Sequence, residues 1–262
     1  MEWLLYLLLG AVAGVLAGLF GVGGGAVIVP MLLLVFDLLN FAPALMVHTA
    51  VGTSFAAIVL TTLASTRAHH DMGNVEWPLW RIMAPGLLFG VMFGAWVASL
   101  LDAATLRTAI AIFLLLIAMQ MLSRWQPPAV FERESRTGHV VAGAGIGWVS
   151  AFFGIGGGSL TVPYLNACGR PMKNAVATSA ACGVPIAVFG ALSYLVLGWS
   201  ASRDVAWTSG YLYWPALLGI GISSVPCARF GAQLASKLDD ATLRILFALF
   251  ILTIGVYLIA SN

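Results

Sequence analysis

Gly21-Val22-Gly23-Gly24-Gly25, closed by Pro30, lies inside an apolar run, and the pattern returns as Gly154-Ile155-Gly156-Gly157-Gly158, closed by Pro163. Four glycines in five residues do not make an ordinary helix interior, where each costs about 1 kcal/mol relative to alanine. In hydrocarbon the backbone groups freed by such a segment find no water, so it is tolerated only where protein buries it or a polar cavity receives it. The two motifs are therefore predicted to interrupt two helices.

The rest of the chain supports a hydrocarbon setting. Of its 262 residues 61% are hydrophobic and 8% charged, against about 25% charged in soluble domains. This composition predicts an integral membrane protein. A net charge of +2 spread over so few ionisable groups leaves no basic face for nucleic acid. Cys168, Cys182 and Cys227 are far apart and form no CxxC pair, so neither a disulfide frame nor a metal site is expected. The opening Met1-Glu2-Trp3-Leu4 lacks a basic n-region and begins a repeat unit, which argues against a removable signal peptide.

Apolar runs cover about 3–36, 43–66, 79–101, 105–122, 138–166, 172–198, 211–236 and 241–260, and most exceed the roughly 20 residues that span a bilayer. The longest polar interval, Ser123 to Thr137, contains Pro127-Pro128 and Glu132-Arg133-Glu134 and divides the chain near its middle. Two further blocks recur across it. Val51-Gly52-Thr53-Ser54 returns as Val176-Ala177-Thr178-Ser179, and Asp102-Ala103-Ala104-Thr105-Leu106-Arg107 as Asp239-Asp240-Ala241-Thr242-Leu243-Arg244. Three matched blocks in one order indicate duplication. The expected organisation is a first membrane repeat over 1–122, a cytoplasmic linker over 123–137 and a second membrane repeat over 138–262.

Charge decides the relative orientation of the repeats. If every run crosses once, the twelve Lys and Arg residues fall six to a side and the positive-inside rule is silent. If each glycine motif is instead the tip of a re-entrant hairpin, each half makes three net crossings and the halves are inverted. Arg67, Arg81, Arg124, Arg133, Arg136, Arg170, Lys173, Arg229, Lys237 and Arg244 then share one side, with only Arg107 and Arg203 opposite. The inverted arrangement follows, with the rich side cytoplasmic and both termini periplasmic. Length agrees, because residues 3–36 as one straight helix would run about 50 Å, against a hydrocarbon core of about 30 Å. The predicted fold class is thus an all-α integral membrane protein of two inverted repeats, each with one glycine-broken helix plus three spanning helices.

Inverted repeats with broken helices place small-solute sites near the bilayer midplane. A short helix is predicted to start after each glycine run, near Ala26 and Ser159, presenting bare N–H groups and the positive end of its dipole. That is an anion site without a charged side chain. The candidate substrate-binding residues are Gly23, Gly24, Gly25 and Ala26 in the first repeat and Gly156, Gly157, Gly158 and Ser159 in the second. The hydroxyls of Thr53, Ser54, Thr178 and Ser179 are expected to join them, with Thr161 a weaker candidate. His48 and Lys173 stand five residues ahead of Thr53 and Thr178. They are candidates for the pathway mouths, although snorkelling to the interface is the favoured reading. The ladders Gly10, Gly14, Gly18 and Gly86, Gly90, Gly94 are assigned to helix packing.

No acidic side chain lies deep in an apolar run, which argues against a carboxylate proton relay or a cation pump. No HExxH, carboxylate pair or Ser/His arrangement supports an intramembrane enzyme, and no cofactor or metal is expected. Export of an anion from a negative-inside cell gains about 2.3 kcal/mol per charge per 100 mV, so it needs no ion-coupling carboxylate.

The pattern Gly18-Leu19-Phe20-Gly21-Val22-Gly23-Gly24-Gly25 with Val29-Pro30, its copy Phe153-Gly154-Ile155-Gly156-Gly157-Gly158 with Val162-Pro163, and the Thr-Ser blocks resemble the TauE/SafE family of sulfite exporters. The resemblance covers nearly the whole chain. It implies a bacterial inner-membrane permease moving a small sulfur-containing anion, sulfite or an organosulfonate, usually outward, and a homodimer is compatible with it. Alternating access about the two breaks is the expected mechanism. The rivals are an anion channel using the same site and an accessory membrane subunit that transports nothing.

Overall fold

The computed structural model describes residues 2–20, 25–123, 135–203, 205–235 and 240–260. Among these the first half forms α1 (Glu2–Phe20), α2 (Gly25–Leu38), α3 (Pro43–Asp71), α4 (Trp77–Ser99) and α5 (Ala103–Ser123). The second half forms α6 (Arg136–Phe153), α7 (Gly158–Ala167), α8 (Met172–Leu197), the short strands β1 (Thr208–Ser209) and β2 (Leu212–Tyr213), α9 (Trp214–Ala235) and α10 (Asp240–Ala260). α3, α4, α5 and α8 are long and apolar enough to cross a membrane, and shorter apolar stretches occupy Trp3–Leu16, Gly25–Leu38, Trp214–Cys227 and Ala248–Ala260. The chain is a multi-pass helical membrane protein.

The helices begin where sequence chemistry permits. Pro43 opens α3 and Pro78 lies in the first turn of α4, positions where a missing N–H costs nothing. Asp102 caps α5, accepting from the Thr105 hydroxyl at 2.6 Å and the Thr105 N–H at 3.0 Å. Those bonds, the hydroxyl's first, hold the Asp102 carboxyl below its ordinary pKa.

Helices from the two halves interleave. α1 packs along α9, α4 along α6, α3 against α8 and α5 against α10. The glycine ladders make the first two contacts close enough for backbone to meet backbone. A Cβ on Gly10 would lie 2.6 Å from Ile220 Cα, and one on Gly90 would lie 2.9 Å from Ala144 Cα. Each distance is shorter than real side chains allow, so the small residue is what permits the approach.

Aromatic and polar contacts tie the ends of the helices together. Tyr6 near the start of α1 and Phe36 near the end of α2 both pack edge-on against Tyr213, with centroids 5.7 and 5.8 Å away. His139 near the start of α6 and Tyr164 near the end of α7 are joined at 2.8 Å. α3 follows α2 directly and runs for 29 residues, about 43 Å, before Glu76 at the head of α4 pairs with Arg170 beyond α7 at 3.2 Å.

Residues 208–213 depart from the sequence reading of a span starting near 211. They form a β-hairpin whose Tyr211, Leu212 and Tyr213 are buried. Tyr211 N–H donates to the Tyr194 carbonyl at 3.1 Å, which folds the turn back onto α8. α9 begins only at Trp214.

Candidate functional site at the helix interruptions

Between α6 and α7 the chain leaves helical geometry for Gly154 to Gly157, all four buried. Gly154 has φ 62° and ends α6, its N–H donating to the Ser150 carbonyl. Gly157 has φ 75° and precedes α7, and a Cβ there would also overlap Ile186 Cδ1. Both positions demand glycine on conformational grounds. α7 begins at Gly158 and α2 at Gly25, each one residue ahead of the sequence estimate.

The head of α2 meets this interruption. A Cβ on Gly25 would lie 2.8 Å from the Gly154 carbonyl oxygen and 2.9 Å from Ile155 Cα, so the head of α2 rests on the second interruption. Gly25 and Ala26 are buried, while Gly23 and Gly24 lie outside the described residues.

Several carbonyls of the turn are occupied: Ser150 by the N–H groups of Gly154 and Ile155, Ala151 by the Tyr194 hydroxyl at 2.9 Å, and Gly154 by the Ser54 hydroxyl at 2.9 Å. The Gly157 carbonyl accepts from Leu160 N–H at 3.1 Å and Thr161 N–H at 2.7 Å, and Gly158 receives a long contact from the Ser179 hydroxyl at 3.5 Å. Donors are left over. Among the described residues no backbone acceptor meets the N–H groups of Gly156, Gly157, Gly158 and Ser159. The hydroxyls of Ser150, Ser159 and Thr161 are buried without a partner, and Ser150 and Thr161 have no exposed surface at all. α6, α7 and α8 carry no Asp or Glu. Unpaired donors at the positive end of a helix dipole, with no carboxylate on the surrounding helices, suit a small anion.

The other residues singled out from sequence fall in different places. Thr53 and Thr178 each accept a backbone N–H at 3.0 Å, Thr53 from Tyr213 and Thr178 from Glu76. Those donors sit at the heads of α9 and α4, so each threonine fastens a helix of the opposite half. Ser54 reaches the interruption directly through Gly154. His48 does not snorkel: it is 4% exposed, its Nε2 lies 3.1 Å from the Ala98 carbonyl and its ring stacks on Tyr211 at 5.0 Å. The buried hairpin covers it, which the run of apolar residues did not reveal. Lys173 is exposed at the head of α8. Ser150 escaped the sequence reading. Its signal was its place on the helix, one turn before the first glycine.

Two cavities lie elsewhere. One of about 480 Å³ is lined by Asp37, Pro43, Met46 and Arg107, where the Arg107 guanidinium grips both Asp37 oxygens at 2.7 and 3.1 Å. The other, of about 470 Å³, is lined by Glu76, Arg136, His139 and Arg170. No residue of either interruption lines them. Among the described residues no group of three or more His, Cys, Asp or Glu side chains converges to hold a metal.

The class defined by these observations is a multi-pass α-helical membrane protein with a buried glycine interruption on which the head of another apolar helix rests. Within that class, residues 6–258 match the family described as Sulfite exporter TauE/SafE, and the chain belongs to that family. It is 37% identical over 254 residues to a "Probable membrane transporter protein" of Haemophilus influenzae, covering 97% of this chain and 96% of that one. It is 28% identical over 257 residues to a similarly named protein of Methanocaldococcus jannaschii, covering 97% and 94%. It is also 28% identical over 284 residues to the "Probable membrane transporter protein YunE" of Bacillus subtilis, covering 99% and 98%. No solved structure matches.

Proposed function

We propose that this protein is a secondary transporter that exports a small sulfur-containing anion, sulfite or an organosulfonate, by alternating access. The anion binds at the amide-rich head of α7, against the adjoining head of α2. The observation that carries this reading is the set of buried, unpaired hydroxyls and amides at the second interruption, set against the head of α2. Family membership supplies the substrate class.

In this reading the halves are inverted repeats. α1 and α2 form one re-entrant hairpin, and α6 and α7 form the other, entering from the opposite face. Support comes from the Tyr213 contacts, which bring the start of α1 and the end of α2 to one level, and from the His139–Tyr164 bond, which does the same for α6 and α7. The reciprocal pairing of α1 with α9 and α4 with α6 is what a two-fold relation produces. The protein lies in the bacterial inner membrane with both termini periplasmic and the linker cytoplasmic, the orientation the distribution of Lys and Arg favours.

The test is sulfite exchange in proteoliposomes. A carrier shows saturable flux and accelerated exchange when sulfite is present on both sides. Currents at channel rates exclude alternating access, and a purified protein that moves neither sulfite, thiosulfate nor any sulfonate is an accessory subunit.

A further inference from the structure

The motif is duplicated, but the chemistry around it is not. Aligning Gly21–Gly25 with Gly154–Gly158 places Ala17 opposite Ser150, Ala26 opposite Ser159 and Ile28 opposite Thr161. Every hydroxyl that stands unpaired at the second interruption has an apolar counterpart at the first. We propose that the protein holds one anion at a time, on the second interruption alone. Ser150, Ser159 and Thr161 are then the side-chain ligands, and the head of α2, packed on the same turn, supplies an apolar wall. This rests on the transport reading above and makes it more specific.

Three observations bear on it. Ser150 begins the last turn of α6 and Thr161 lies in the first turn of α7, so the two residues flank the turn. Thr161 Oγ1 would stand 3.5 Å from a Cβ on Gly157, which places it beside the turn. The Ser150, Ala151, Gly154 and Gly157 carbonyls are engaged, by Tyr194, Ser54 and local N–H groups. α6, α7 and α8 carry no Asp or Glu to hold a cation, whereas the unpaired hydroxyls are donors that an oxyanion accepts from. A buried hydroxyl without a partner is destabilising, and it persists where a ligand supplies the missing acceptor. Ala26 and Ile28, the counterparts of Ser159 and Thr161 in the first motif, offer no such group.

The experiment is sulfite transport by the full-length protein in liposomes with Thr161→Val, Ser150→Ala and Ser159→Ala, alongside thermal denaturation in detergent with and without sulfite. Removing one hydrogen bond to a charged ligand raises the KM for sulfite about 10-fold or more, with kcat nearly unchanged. The melting temperature without sulfite stays level or rises in Thr161→Val, because an unsatisfied buried hydroxyl has been removed. Thr161→Ser keeps the hydroxyl and retains the wild-type KM, which separates loss of a ligand from loss of fold. An unchanged KM in both Thr161→Val and Ser150→Ala overturns the assignment while the transport reading stands. If the wild type moves no anion, the transport reading fails, and sulfite protection against denaturation decides this one. Protection of the wild type that is lost in Thr161→Val supports it, and protection of neither or of both overturns it.

Discussion

The two glycine motifs share a five-residue pattern and differ in the hydroxyls placed around it. At the second, Ser150 in the last turn of α6 and Ser159 and Thr161 at the opening of α7 carry three buried, unpaired hydroxyls. At the first, α2 opens through Gly25, Ala26, Val27 and Ile28, all buried and none with a side-chain donor. At the second motif glycine is a steric necessity, since only glycine reaches φ 62° and 75° without strain. Side chains are under no such restriction. A gene duplication can thus keep a symmetric scaffold while one copy specialises in holding the solute and the other in covering it.

Breaking the shared element should have the largest effect. Gly157→Leu places a side chain at positive φ and onto Ile186, and Gly25→Leu drives one into the Gly154 backbone. Either variant is expected to insert in the membrane and lose sulfite flux and binding, by about 100-fold or more if at least two charged hydrogen bonds go. Fractionation followed by a flux assay checks this. Normal binding in both variants would remove the interruptions from the mechanism.

The ends of the two hairpins allow a second comparison. Arg107 and Asp37 are paired with side chains only 9% and 21% exposed, whereas Arg170 and Glu76 are at 31% and 21%. Arg107→Met strands a largely buried carboxylate and should cost about 3 kcal/mol, while Arg170→Met should cost about 1 kcal/mol. Equal losses in denaturation experiments would show that burial does not distinguish the two ends. Among the hydroxyls, Thr53→Val leaves the buried Tyr213 N–H without an acceptor and should cost about 1–2 kcal/mol, more than Thr178→Val, with KM unchanged in both. A raised KM would return these threonines to the ligand set. Lys173→Ala, at an exposed helix head, should change stability by less than about 0.5 kcal/mol and leave KM alone.

Much of the fold was legible before any coordinate, because glycine density and apolar run length act through backbone physics that hydrocarbon enforces residue by residue. The succession of apolar helices, the turn at Gly154–Gly157 and the packing role of Gly10, Gly14, Gly86 and Gly90 all came from that source. The site was less legible. Thr53 and Ser54 are adjacent and look alike in sequence, yet on a helix they point about 100° apart, one to the head of α9 and the other to the interruption. His48 resembled a snorkelling residue because nothing in the local pattern announces that a hairpin 160 residues later folds over it. Ser150 was invisible for a related reason. Its importance lies in having no partner, and absence of a partner is a property of three-dimensional packing.

The measurement that bears most directly on the central claim is an experimental structure of the full chain with sulfite present. The account predicts an anion at the head of α7, within hydrogen-bonding distance of the Gly158 and Ser159 amides and of the Thr161 hydroxyl. Continuous helix through residues 154–157, or sulfite bound only at the arginine-lined cavities, would contradict it.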